Sequence, residues 1–137
     1  MKVFIDTSAF FALTIPKDQH NLRAKSLYNQ LKEYKALFYT SDYVLDEVYT
    51  LLKTRGSHRT AVNFMDQINK TGISFLRITE ELEEYAKDIF KRFDDRRLSF
   101  TDCTSFALIN QLEVKAVFAF DEHFRYHPYS HPVKFWG

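Results

Sequence analysis

The sequence predicts a three-layer α/β/α sandwich built around a central, mainly parallel sheet. Short apolar runs alternate with segments of helical period, an order that requires crossover connections between parallel strands. The chain has 137 residues, 45% of them hydrophobic and 17% aromatic, which suffices for a single domain over residues 1–137 with a bulky core. No internal repeat, linker or low-complexity stretch interrupts the alternation.

The elements follow in order. In "KVFIDTSAFFAL" (Lys2–Leu13), Val3, Phe4 and Ile5 read as a first strand, and Asp-Thr-Ser breaks the run before a helix begins. His20–Lys35 carries Leu22, Leu27, Tyr28 and Leu31 at the spacing of a surface helix. "ALFYT" (Ala36–Thr40) is a second strand. "SDYVLDEVYTLLKTRG" has Ser41 or Asp42 as its start signal and Gly56 as its stop after basic residues. A helix fits Ser57–Lys70, Gly72 marks its exit, and "ISFLR" (Ile73–Arg77) is a third strand. Thr79 opens a charged helix that runs to Phe93, and "DDRR" (Asp94–Arg97) reads as a solvated loop. "SFTDCTSFALINQL" is a helix capped near Ser99 or Thr101, and "AVFAF" (Ala116–Phe120) is the fourth strand. Asp121 begins a short turn or helix, and "VKF" (Val133–Phe135) adds an edge strand after Pro128 and Pro132.

Composition removes several function classes. The net charge of +1 gives no bulk attraction for nucleic acid, so such a partner would be held by a local patch. The single cysteine, Cys103, excludes a disulfide framework and a multi-cysteine zinc site, and reads as a small core hydrophobe in a reducing compartment. Asp6 interrupts the only candidate signal core and no apolar run reaches membrane-spanning length, so a cytoplasmic chain without membrane association is expected. With three glycines in all, no phosphate-binding loop is present.

Four acids occupy informative positions. Asp6 follows "VFI" as Asp121 follows "VFAF", so two acids end two strands, and open α/β folds place their ligands there. On a helical wheel of about 100° per residue, Glu47 lies about 40° from Leu51 at the flank of the apolar arc, and Asp46 faces solvent. The same construction puts Asp102 inside the arc of Phe106, Ile109 and Leu112. Helix capping accounts for Asp6 and Asp102 taken singly. It does not account for a core-flanking Glu in company with three acids at strand ends and helix starts. Convergence at about 5 Å would cost ~3 kcal/mol per like-charged pair at an effective dielectric near 20, and so would require a cation. An all-oxygen donor set selects Mg²⁺ or Mn²⁺, and such ions drive phosphodiester hydrolysis.

"FIDTSAF", "DEVYTLL", "LSFTDCTSFAL" and "VFAFDEHF", in this order and spacing over nearly the whole chain, resemble the PIN-domain ribonucleases, especially the VapC-type toxins of toxin–antitoxin pairs. The resemblance implies an acidic metal site of Asp6, Glu47, Asp102 and Asp121, with Thr7 or Ser8 as a supporting hydroxyl. It further implies a Mg²⁺-dependent endoribonuclease that cleaves RNA by metal-activated water, with Mn²⁺ as a substitute. Such toxins are commonly dimeric and are held inactive by a small antitoxin, for which a cationic side chain in the acidic cleft is the natural plug. Where many relatives have a further acid, this chain has His123, which leaves the number of metal ions open. His123 is expected on a helix surface, with a contact to substrate at the rim as the alternative. Lys91, Arg92, Arg96 and Arg97 precede Asp102, and Lys53, Arg55 and Arg59 follow Glu47; they form solvated faces or hold RNA phosphates. His127 and His131 flank Pro128 in a loop, which argues against a zinc site.

Three rivals remain. An aspartyl-phosphate phosphatase also begins on a strand ending in Asp, but it places a second Asp where Ser8 stands. A free-standing PIN nuclease of RNA processing and a catalytically inactive PIN-like interaction module share the fold. Retention of all four acids weighs against the last.

Overall fold

The computed structural model describes residues Met1–Gly137. Five strands, β1 (Lys2–Ile5), β2 (Leu37–Ser41), β3 (Ser74–Leu76), β4 (Ala116–Phe118) and β5 (Lys134–Trp136), form one sheet in the order β3-β2-β1-β4-β5. Every pairing is parallel, so the sheet is wholly rather than mainly parallel. Helices α1 (Thr7–Thr14) and α2 (Asn21–Glu33) connect β1 to β2, and α3 (Asp42–Arg55) and α4 (His58–Ile68) connect β2 to β3. Helices α5 (Glu80–Arg92) and α6 (Phe100–Gln111) lead to β4, and α7 (His123–Tyr126) precedes β5. No helix is long and apolar enough to cross a membrane.

The chain moves outward from β1 through β2 to β3, then returns to the other flank of β1 as β4. Right-handed crossovers in opposite directions put helices on both faces, which gives the expected three layers. Val3, Phe4 and Ile5 of β1 and Ala116, Val117 and Phe118 of β4 are accordingly fully buried, as strands covered on both faces must be. The crevice at the carboxyl ends of β1 and β4 is the point where strand order reverses, the place where such sheets bind ligands.

Four helices start on the side chains that the sequence marks. Ser41, Ser57, Thr79 and Ser99 each accept the backbone N–H three residues on, a contribution of about 1 kcal/mol apiece. Gly56 stops α3, though not through a left-handed turn: its φ is −105°, and a side chain there would meet the Leu52 carbonyl oxygen at 2.7 Å. Gly72, at φ 78°, is the left-handed exit from α4.

Two expectations need correction. Helix α6 is not amphipathic. Asp102 through Ile109 are all buried, so a wheel has no solvent face to find, and Thr104 and Ser105 satisfy their hydroxyls on the Thr101 carbonyl at 2.6 and 3.2 Å. Strand β4 ends at Phe118 rather than Phe120, because the Phe120 N–H leaves the ladder to donate to Ser8 Oγ at 2.9 Å.

Candidate active site

Asp6 sits where β1 passes into α1, with its N–H donating to the Phe118 carbonyl of β4 at 3.0 Å. Its Oδ2 accepts the Ser8 backbone N–H at 3.1 Å and the Ser8 hydroxyl at 2.7 Å, so Asp6 does cap α1. Its Oδ1 is buried with no hydrogen-bond partner. Capping therefore occupies one oxygen of the Asp6 carboxylate and leaves the other without a partner, so the two readings of the sequence do not exclude each other. The neighbouring Thr7 hydroxyl is also buried and unpartnered, whereas Ser8 ties Asp6 to the backbone at Phe120.

Asp102 repeats the pattern. Ser99 Oγ accepts the Asp102 N–H at 3.0 Å and Asp102 Oδ2 accepts the Ser99 N–H at 3.2 Å, a reciprocal capping box that fixes the carboxylate at the buried start of α6. Asp121 lies in the turn after β4, where its Oδ1 accepts the His123 N–H at 2.9 Å. Glu47 is half-buried on α3 while Asp46 is exposed, as the wheel requires. Glu47 borders a surface depression that it shares with Thr101, next to Asp102.

Possible ligand atoms of Asp102, Asp121 and His123 lie within 4.8 Å of one another. Asp6 and Glu47 stand outside that tight group but within its field. Burial, followed by the charges of Glu47 and Asp121, pushes the Asp6 carboxyl up to about 6 even though Ser8 pulls it down. Burial and the charges of Asp6, Asp121 and Glu47 push Asp102 up to about 8. Such carboxylates are short of positive charge. An orphaned buried oxygen on Asp6 and a donor set of carboxylate oxygens fit a hard divalent cation.

His123 departs from expectation. It is not a bare helix-surface residue: its Nδ1 lies 2.8 Å from Asp121 Oδ1 and its Nε2 2.9 Å from Asp95 Oδ2. Ionised carboxylates only accept, so both bonds form together in the imidazolium. Burial pulls the His123 pKa down, and Asp95 and Asp121 more than offset it, leaving it above the ordinary value. With both nitrogens occupied, His123 orients Asp121 instead of offering a free ligand. Asp95 escaped the sequence reading because it lies in an exposed loop and its partner is 28 residues away. Cys103 behaves as a core residue, its thiol pushed up to about 11 by burial and Asp102.

The basic residues divide by position. Gly56, one residue past α3, packs against Ile15 beyond the end of α1, so Lys53 and Arg55 lie at the far end of these helices from Asp6. Arg96 and Arg97 are exposed in the loop before α6, and Arg97 borders the cleft that Asp121 and His123 also line.

The PIN domain family matches residues 3–128. The 23S rRNA-specific endonuclease VapC20 of Mycobacterium tuberculosis is 35% identical over 122 residues, which cover 89% of this chain and 91% of that protein. The crystal structure of M. tuberculosis VapC20, described as a sarcin–ricin loop cleaving toxin, superimposes with a TM-score of 0.82 at 34% identity, covering 93% of this chain and 95% of that one. VapBC2 from Rickettsia felis, bound to a DNA fragment from its promoter, shares the fold with a TM-score of 0.73 at 10% identity over the full length of both chains. FitAcB from Neisseria gonorrhoeae does so at 0.60 and 14%, over 98% of this chain and 96% of that one.

Proposed function

This chain belongs to the PIN-domain family, and on that premise we propose that it is a divalent-metal-dependent endoribonuclease, the toxin of a toxin–antitoxin pair, acting on an exposed loop of ribosomal RNA. The observation that carries the reading is the buried, unpartnered Oδ1 of Asp6 beside carboxyls that burial and mutual charge hold far above their ordinary range. Asp6, Glu47, Asp102 and Asp121 would hold the ion, Mg²⁺ or in its place Mn²⁺. When bound, such an ion lowers the pKa of coordinated water and neutralises charge on the phosphoryl oxygens.

The chain's own residues do the rest. Ser8 and Ser99 each fix one oxygen of an acid and leave the other to the site. His123 holds Asp121 by its Nδ1–H and is itself held by Asp95. Arg96 and Arg97 supply exposed positive charge for phosphates beside an acidic centre that would otherwise repel them. The partners are RNA, a small antitoxin that sets a cationic side chain into the cleft, and a second copy of the chain.

The test is cleavage of 23S rRNA and of its isolated loop hairpins with mapped ends. Expected are Mg²⁺-dependent cuts that leave 5′-phosphate and 3′-hydroxyl termini, abolished by chelator and by Asp102→Asn. Cyclic 2′,3′-phosphate ends would assign the attack to the ribose hydroxyl and overturn hydrolysis by water.

A further inference from the structure

A cleft of about 690 Å³ opens beside the acid cluster, and Asp121 and His123 line both. Its apolar wall is aromatic. Phe93 and His127 meet edge to face at 5.4 Å, and His127 lies flat on the buried Phe106 at 3.8 Å and 8°. Burial and the nearby Arg92 push His127 down to about 4, so the ring is neutral at ordinary pH. At the mouth, Tyr126 is 76% exposed. A large exposed aromatic ring over a partly apolar cavity is an unused stacking surface.

The polar rim carries charges of both signs, most of them already paired with one another. Asp95 is spent within the rim, its Oδ2 on His123 Nε2 and its Oδ1 on the Arg97 N–H at 2.9 Å, whereas Glu122, whose Oε2 accepts from Arg125 Nε, keeps Oε1 as an acceptor. Arg97, its side chain 85% exposed and its Nε 3.7 Å from Asp95 Oδ1, is the cation at the edge. Resting on the nuclease reading above, we propose that this cleft receives one unstacked nucleobase bordering the scissile phosphate. The base stacks on Tyr126, turns an amino edge toward the Glu122 carboxylate, and leaves its phosphate to Arg97.

Adjacency names the occupant. An RNA strand held at the acid cluster carries its neighbouring nucleotide past Asp121 and His123 into this opening, and the cleft is large enough for it. Guanine, adenine and cytosine present amino hydrogens to a carboxylate. Uracil presents a single N–H between two carbonyl oxygens that the Glu122 carboxylate repels, so it is the base excluded.

The test uses the full chain with Mg²⁺ and a library of RNA stem-loops with randomised loops, with sequencing of the cleaved ends. One position bordering the cut should favour amino-bearing bases over uracil by about tenfold, the scale of one stacked and hydrogen-bonded base. Tyr126→Ala should flatten that preference to within about twofold, and Tyr126→Phe should keep it, because the stacking face is retained. Arg97→Ala should slow cleavage of all sequences alike without changing the preference. Thermal melts of the Tyr126 variants should match wild type, since the ring is exposed.

A preference unchanged in Tyr126→Ala, absent beside the cut, or directed to uracil would overturn the proposal while leaving the nuclease reading intact. If Tyr126→Ala abolishes inhibition by the antitoxin but not the base preference, the cleft belongs to a protein partner and the proposal falls. If wild type cleaves no loop in the library, the nuclease reading fails and takes the proposal with it.

Discussion

On the proposed function Asp6 and Asp102 each serve two purposes, because a carboxylate has two oxygens and capping a helix takes only one of them. The sequence poses these roles as alternatives, since spacing sees a residue and not its separate atoms. Glu47 and Asp46 are the reverse case, adjacent acids whose fates the helical period does separate. Glu47→Gln should keep the packing of α3 while removing one charge from the cluster, so RNA cleavage should fall by orders of magnitude with the fold intact. Asp46→Asn, on the exposed side, should change stability by no more than about 0.5 kcal/mol and activity little. Cleavage rates and melts of both variants decide it, and a loss in Asp46→Asn equal to that in Glu47→Gln would show that Glu47 does not serve the site. The Asp95–His123–Asp121 chain lay beyond the sequence, because no local pattern announces a contact between an exposed loop and a helix 28 residues on.

Among the elements, legibility followed whether the signal was local. Helix α3 could be read from its Ser41 cap, its half-apolar wheel and its Gly56 stop, all within the segment itself. Helix α6 could not be read by period, since it is enclosed on every side and its small and polar residues are satisfied inside. The end of β4 was equally hidden, being set by Ser8, whose hydroxyl accepts from Phe120 N–H and donates to Asp6. That hydroxyl links the two strand ends that carry Asp6 and Asp121. Ser8→Ala should therefore cost ~1–3 kcal/mol, because a backbone donor and a buried carboxylate each lose a partner. Urea unfolding with an unchanged slope should report the loss, and metal binding should weaken as Asp6 loosens. A cost below about 0.5 kcal/mol with an unaltered metal response would show that the β1 and β4 ends hold together without it.

For the molecule as a whole, alternation of strands and helices revealed the layers, but the order β3-β2-β1-β4-β5 depends on pairings between distant segments that composition does not encode. That order brings Asp6 and Asp121 to one crevice, and on the proposed function the resulting concentration of carboxylates should make stability depend on pH and metal together. Both Asp6 and Asp102 are raised from 3.8, to about 6 and about 8, so between those limits the folded protein binds more protons than the unfolded chain. Stability from this pair is then full below about pH 4 and is lost as pH rises through 6 and 8. His127 acts in the opposite sense, losing stability as pH falls from 6.5 toward about 4, and the difference between wild type and Asp102→Asn removes its effect. A divalent ion needs the carboxylates ionised, so its stabilisation should be small near pH 5 and largest near pH 8. At a hundredfold excess over its dissociation constant, Mg²⁺ would add about 2.7 kcal/mol, a rise in Tm on the order of 5–10 °C for a chain of this size. Melts across this pH range, with Mg²⁺ or with chelator, should therefore diverge as pH rises in wild type and stay together in Asp102→Asn. A metal shift that is the same at both ends of the range, or that survives in the variant, would show that the ion binds somewhere other than this cluster.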